Sequence, residues 1–298
     1  MIYSDALFAK VNDLTSFEKV RVIGVLILLL GAVIYLGFWP SDWLQQIEFW
    51  INSHAVWPAW PILVYVFIAV VDTHITTVCV TLYLHRNQTH RSITFQPFIA
   101  ELMQAWLWVR TAMPTKEWVA VHRKHHAFVE SEDDPHTPWV YGIWRVLFYG
   151  TKLYHRAAHD QATLERFGTG TPSHWVARVI YGRFSLLGPV LTLVSNLWLF
   201  GVSGFPMWLF EMVWIPGFAA GVINGLGHWW GYRNFDTPDE SRNLPGRIWA
   251  LLTCGEALHN NHHDKQNSPR FARKPGEIDL GYIYFCKLEN LGLAQRER

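Results

Sequence analysis

The chain of 298 residues carries 25 Lys and Arg against 24 Asp and Glu, a net charge of +1, with 50% hydrophobic, 15% aromatic and 16% charged residues. Set against the roughly 25% charge of a soluble domain, this composition points to lipid; the balanced charge, with no basic run interleaved with aromatics, excludes a nucleic-acid binder. Cys79, Cys254 and Cys286 lie far apart and form no CxxC pair, so they read as reduced and structural.

Met1 to Arg21 contains Asp5, Lys10, Asp13, Glu18 and Lys19 ahead of the first apolar run, so no cleavable signal peptide is expected. The uncharged segment 22–41 is long enough for a helix to cross the ~30 Å hydrocarbon core. A second span is expected at 59–84, interrupted near its middle by Asp72, Thr73 and His74 and ending against His85. The stretch Phe98 to Met113 is apolar but holds Glu101, Gln104 and Arg110, which suits an interfacial or re-entrant helix, with Trp106 and Trp108 as interfacial anchors. After a polar region come two further spans, 184–202 and 207–226, with GVSGFP (Gly201 to Pro206) as the turn and Pro216-Gly217 as a kink. No Lys or Arg occurs from Val22 to His85 or from Phe184 to Tyr232, so the basic residues all fall on one side of a four-span arrangement. That side is cytoplasmic by the positive-inside rule. The expected fold is therefore all-α and integral to the membrane. It is one domain over 1–298, with four transmembrane helices and a helical cap built from cytoplasmic regions 85–183 and 227–298.

Nine of the 15 histidines fall in four groups: His85 and His90 in HRNQTH, His122, His125 and His126 in HRKHH, His228 in NGLGH, and His259, His262 and His263 in HNNHH. Positions i, i+3 and i+4 share a helix face, so each HxxHH aims three rings at one region of space. His85 and His90 are about 140° apart on an ideal helix and need a distorted one. Asn224 and His228 return to i, i+4. Nine imidazoles exceed the three or four that one zinc site uses, so two metals are the natural count, with imidazole alone not selecting which. A single pair would serve equally as core structure or haem ligation; four groups on one face favour a metal cage. A carboxylate di-iron bundle is excluded, because it needs paired ExxH motifs and only Glu256-x-x-His259 fits.

These motifs resemble the membrane-bound fatty acyl desaturases of the stearoyl-CoA desaturase type, in a bacterial-like short form. HRNQTHRS looks like the family's first box, HRKHH its second and GEALHNNHH its third; NGLGHWWGYRNFD, Glu117-Trp118 and Asp134-Pro135-His136 are also similar. The resemblance implies two ferrous ions held by His85, His90, His122, His125, His126, His228, His259, His262 and His263, with Asn224 acting through a water. It implies oxygen as co-substrate and insertion of a cis double bond, delta-9 by resemblance, into a saturated long-chain acyl group. The alternatives on the same scaffold are a hydroxylase, an alkane monooxygenase or a decarboxylase; from another class, a metal transporter or sensor. Electrons are expected from a separate ferredoxin, flavodoxin or cytochrome b5 type donor, and the acyl carrier is left open between coenzyme A, lipid and carrier protein. Arg86, Arg91, Arg123 and Lys124 are candidates to meet its head group. Zinc is expected as a substitute in protein made in excess. If the protein is bacterial, it belongs in the inner membrane with its site facing the cytoplasm. Asp72, His74, Trp118, Asp134 and His136 are candidates to line the acyl tunnel or support the ligands, with Asp72 and His74 satisfying each other or neighbouring backbone groups as the plain alternative. His54, His155, His159 and His174 read as solvated or remote.

Overall fold

The computed structural model describes residues 41–297, so the expected span at 22–41 lies outside the described residues. Two described runs are long and apolar enough to cross a bilayer, Ile62–Thr89 and Leu187–Leu226. Only 39% and 33% of their most apolar windows are buried. Leu63, Phe67, Val190, Val194 and Trp198 are among the large apolar side chains left on the outside. A helix apolar all round whose outer face stays uncovered by protein suits lipid, not the core of a soluble domain.

The first run begins as α2 (Ile62–Cys79), preceded by α1 (Ser41–His54), and continues without a break as a π-helix, Val80–Thr89. The Asn52 side chain of α1 accepts the backbone N–H of Val202 at 3.1 Å, which sets α1 against the Gly201 turn. After a short strand β1 (Ile93–Phe95) come α3 (Pro97–Thr111), packed on α2, and α4 (Thr115–Phe128), packed on the π-helix. Trp106, expected as an interfacial anchor, is half-buried. Because α3 packs against the apolar elements, the Trp106 indole N–H donates to Thr76 Oγ1 at 3.0 Å inside the protein.

The second apolar run is folded on itself. α7 (Leu187–Phe200) ends at a 3-10 turn, Gly201–Ser203, and α8 (Gly204–Ile215) returns along it before winding into another π-helix, Pro216–Leu226. The expected turn at Gly201 is found. At Pro216 the ring fills the first position of the π-helix, and the chain continues helically. Between them lies α5 (Ile143–Ala158), in a region expected to be merely polar. It is amphipathic: one face packs on the second π-helix so closely that a Cβ on Gly150 would stand 2.4 Å from the Ala220 carbonyl oxygen. The opposite face exposes Trp144 and Phe148 at 69% and 74%. α6 (Gln161–Phe167), α9 (Arg247–Thr253), α10 (His259–Asp264) and α11 (Leu280–Asn290) complete the helical cap. The final strand β2 (Ala294–Arg296) pairs antiparallel with β1, Ile93 opposite Arg296, a small ladder that an all-helical expectation omits.

Mid-bundle, Arg110 of α3 joins three elements. Its guanidinium lies 2.6 Å from the Asp72 carboxylate of α2 and 3.2 Å from that of Glu211 in α8, while Asn196 of α7 donates to Glu211 at 3.0 Å. Asp72 and His74 therefore do not satisfy each other; His74 instead meets the Tyr284 hydroxyl at 2.9 Å. Neither reaches the nine histidines. Arg110→Met is expected to strand two buried carboxylates and to destabilise the fold by about 3–5 kcal/mol, read as a fall in the unfolding midpoint of the detergent-purified protein. An unchanged midpoint would show the cluster to be dispensable.

Candidate metal centre

The spacing problem of the first box is solved by winding. In a π-helix the hydrogen bonds run i to i+5, as His90 N–H to the His85 carbonyl does at 3.1 Å. Residues five apart then stack, and the His85 and His90 ring centroids stand 4.8 Å from each other. The same winding over Pro216–Leu226 delivers the turn that carries His228, while Asn224, half-buried, lies in that helix's last turn.

α4 and α10 each supply three rings, but not to one point. The i and i+4 rings of α4, His122 and His126, gather with His85, His90 and His262; its i+3 ring, His125, gathers with His228, His259 and His263. α10 does the reverse, giving His259 and His263 to the second group and His262 to the first. In each group the ligand nitrogens all lie within 4.8 Å of one another, a spread that a single ion with bonds of about 2.1 Å can collect. All nine histidines expected as ligands are thus brought together, as five and four.

The chemistry of the nitrogens supports metal binding. His85 Nε2 faces His262 Nε2 at 3.1 Å, His262 faces His126 at 3.0 Å, His126 faces His122 at 3.0 Å, and His228 faces His259 at 2.9 Å. Nε2 of His90, His125 and His263 has no hydrogen-bond partner although buried. Burial, followed by the neighbouring imidazoles, pushes His90, His122, His126, His262 and His263 well below the usual histidine range. His259 is lowered by burial and then by His228. Neutral rings with converging lone pairs are the form that binds metal; without an ion, such buried nitrogens would be left unsatisfied.

Four ligand rings are fixed from behind. His85 Nδ1–H donates to Glu256 at 2.6 Å, His125 to Asp134 at 3.0 Å, His228 to Glu130 at 3.2 Å and His263 to Asp239 at 2.7 Å. Burial pushes the Asp134 carboxyl up, but the charge and hydrogen bond of His125 and the contacts of His136 hold it below the usual range. Asp134 also accepts the backbone N–H groups of Glu130 and His136, so its two oxygens are already used, while His136 Nδ1 is buried without a hydrogen-bond partner. His136 packs its ring 4.5 Å from His125, and Trp118 stacks on His122 at 4.9 Å. Asp134 and His136 therefore both meet His125. Glu130, Asp239 and Glu256 were missed as ring partners, since nothing in their spacing points to the histidines they meet. Glu256 precedes His259 by one turn, yet its partner is His85.

The residues between the box histidines have structural work. Asn261, fully buried, donates to the Phe271 carbonyl and to Glu277 at 2.9 Å each and accepts from Asn234 and Asn243 at 2.8 and 2.9 Å. Asn260 accepts the N–H groups of Asn234 and Phe235, pinning the GYRNFD segment to α10. Arg123 donates to the carbonyls of Gln88, Thr89, Phe167 and Thr169. Arg86 is fully buried against Asp279 at 2.8 Å and over the Phe271 ring at 3.9 Å, room that exists because position 281 is glycine. Arg86 and Arg123 are thus committed internally and do not meet an acyl carrier's head group, a correction to the expectation above. Lys124 leans towards Thr163 at 3.2 Å.

The helical chain thus carries two apolar runs long enough to cross a membrane and two histidine groups that could each hold a metal ion. The profile of the fatty acid desaturase family matches residues 55–272, and the chain belongs to that family. It is an oxidoreductase of that family, whose members act on acyl-CoA or acyl-lipids. Relatives include a delta-9 acyl-lipid desaturase 1 of Arabidopsis thaliana, 30% identical over 72% of this chain and 69% of the relative. An acyl-CoA C20 delta5-desaturase of Anemone leveillei is 31% identical over 72% and 67%. A hex-5-enoyl-[acyl-carrier protein] acetylenase of Moorena producens is 29% identical over 71% and 70%.

Replacing Asn261 by Leu is expected to leave Asn234, Asn243, Glu277 and the Phe271 carbonyl short of a partner, at about 1–3 kcal/mol each. The purified variant should lose both stability and bound metal. Full metal content would show that the network does not hold α10 in place.

Proposed function

We propose that the protein is an oxygen-dependent desaturase that places a cis double bond, at position nine, in a saturated long-chain acyl group. The observation that carries this reading is the gathering of nine imidazoles into groups of five and four. In it, His85, His90, His122, His126 and His262 hold one iron, and His125, His228, His259 and His263 hold the other, with Asn224 reaching the second through a water. Iron supplies the activation of oxygen and the removal of hydrogen that no side chain provides.

The chain's own residues supply position and dryness. Burial favours the neutral form of His90, His122, His126, His228, His259, His262 and His263, and the carboxylates fix which nitrogen faces inward. Beside the first cage, Tyr83, Leu84, Leu107 and Ile215 form an apolar cluster against which Trp118 packs. A methylene chain has no polar handle, so selection along it rests on distance from the cage within such an apolar compartment. Overall, the acyl chain loses two hydrogens and oxygen becomes two waters, with two electrons and two protons drawn from a separate iron-sulfur, flavin or haem electron carrier. The four-span arrangement, with the 22–41 segment as the first span and the cages on the cytoplasmic side, belongs to the same proposal. The convergence of all four histidine groups supports it, since they then share one side of the bilayer.

Mass spectrometry of fatty acids from cells expressing the protein, with double-bond location by derivatisation, should show a new mono-unsaturated species at position nine. His126→Ala and His262→Ala should reduce it at least ~100-fold while the protein still reaches the membrane. A hydroxylated acid or a shortened terminal alkene in its place would overturn the desaturase reading. Elemental analysis is expected to give two metals per folded chain, with zinc in place of iron in overproduced protein, since zinc lies above ferrous iron in the affinity order. One metal or none would remove the two-metal site.

A further inference from the structure

The four carboxylates behind the ligand rings are unevenly shared. Three of the four rings in the second group have one: His125 has Asp134 at 3.0 Å, His228 has Glu130 at 3.2 Å and His263 has Asp239 at 2.7 Å. Of the five rings in the first group, only His85 has one, Glu256 at 2.6 Å. Glu256 also accepts the Thr81 hydroxyl, whose oxygen in turn accepts from Arg86 at 2.6 Å. The first group thus has more rings and one anion, the second fewer rings and three.

A carboxylate on the Nδ1–H of a ligating imidazole does two things: it fixes the tautomer, and it makes the other nitrogen a stronger donor to metal. Added at three rings, it places three negative charges in the layer just outside one ion. Resting on the two-metal reading above, we propose that the two metal positions are built unequal: Glu130, Asp134 and Asp239 are positioning residues for the four-imidazole position alone, and Glu256 for the five-imidazole position alone. The missing fifth ring of the second group is offset by anionic support, and the sparse anionic support of the first by its fifth ring. The backbone favours this assignment. Glu130 sits at φ 62, a left-handed conformation unusual for a residue with a side chain, and from there its carboxylate also accepts the Glu240 N–H at 2.7 Å. Asp239 takes the backbone N–H and hydroxyl of Ser241 and the hydroxyl of Thr237, leaving its second oxygen on His263. Both carboxylates are rigidly aimed.

The test is a titration of the metal-stripped, detergent-purified full chain with zinc at buffered free concentrations, read by metal content, so that activity is not the readout. The wild-type chain should show two binding steps. Asp239→Asn and Glu130→Gln, near-isosteric changes that keep an acceptor, should each weaken the same one of the two steps by 10–100-fold. That step should be the one removed by His263→Ala. Glu256→Gln should weaken only the other step, the one removed by His90→Ala. The unfolding midpoint of the stripped protein separates misfolding from weakened binding, and Asp239→Glu should recover part of the loss if the charge is what matters. Equal weakening of both steps by every variant, or no weakening by any, would overturn the inference while leaving two metals intact. A wild-type chain with fewer than two steps would instead overturn the two-metal reading beneath it.

Discussion

The packing of nine imidazoles into two groups, six of them buried, governs the rest of the structure. A ring taken out of water must stay neutral, and a neutral ring has one donor and one acceptor to satisfy. In this protein the donor side of four rings is met by carboxylates, and the acceptor sides are turned on one another. That arrangement is unstable for the protein alone, so the scaffold has to impose it. Asn260 and Asn261 anchor α10, Arg123 clasps the ends of the first π-helix and α6, and Arg86 fixes the same π-helix to Asp279. These contacts lie between and around the box histidines, which explains why the boxes are polar throughout instead of histidines set in an apolar frame.

Much of the centre was legible in the sequence because metal ligands follow helical periodicity. The nine histidines were identifiable from spacing alone, and the position of the turn at Gly201 from its glycines. What could not be read was the division of labour. From i, i+3 and i+4 the rings of one box look as if they share a target, yet α4 and α10 pass between the two positions, so that each helix serves both. Only the crossing of the helices decides this. Similarly, HRNQTH announces a distortion without saying which. The π winding that resolves it depends on a run of i to i+5 bonds that no local propensity specifies.

The carboxylates show the other limit. Asp134 was within reach of sequence reasoning because it sits just past a box, in a turn closed by proline. Glu130, Asp239 and Glu256 meet histidines from other elements, as Glu256 does in meeting His85 across the cap. Their role exists only in three dimensions. The committed state of Arg86 and Arg123 has the same origin: a basic residue beside a box reads as a surface charge until the carbonyls or the carboxylate it faces are known.

The ion cluster in the bundle bears on how the protein enters its membrane. An Asp or Glu at the centre of a crossing helix costs on the order of 2.5–3.5 kcal/mol on insertion, and α2 carries Asp72 while α8 carries Glu211. Neither helix supplies the compensating charge; Arg110 does, from α3. Synthesis delivers α2 and α3 in succession, so Asp72 can be matched early, but Glu211 waits until α8 emerges about a hundred residues later. Burial of the two carboxylates is therefore tied to tertiary assembly, completed when α8 docks against α3.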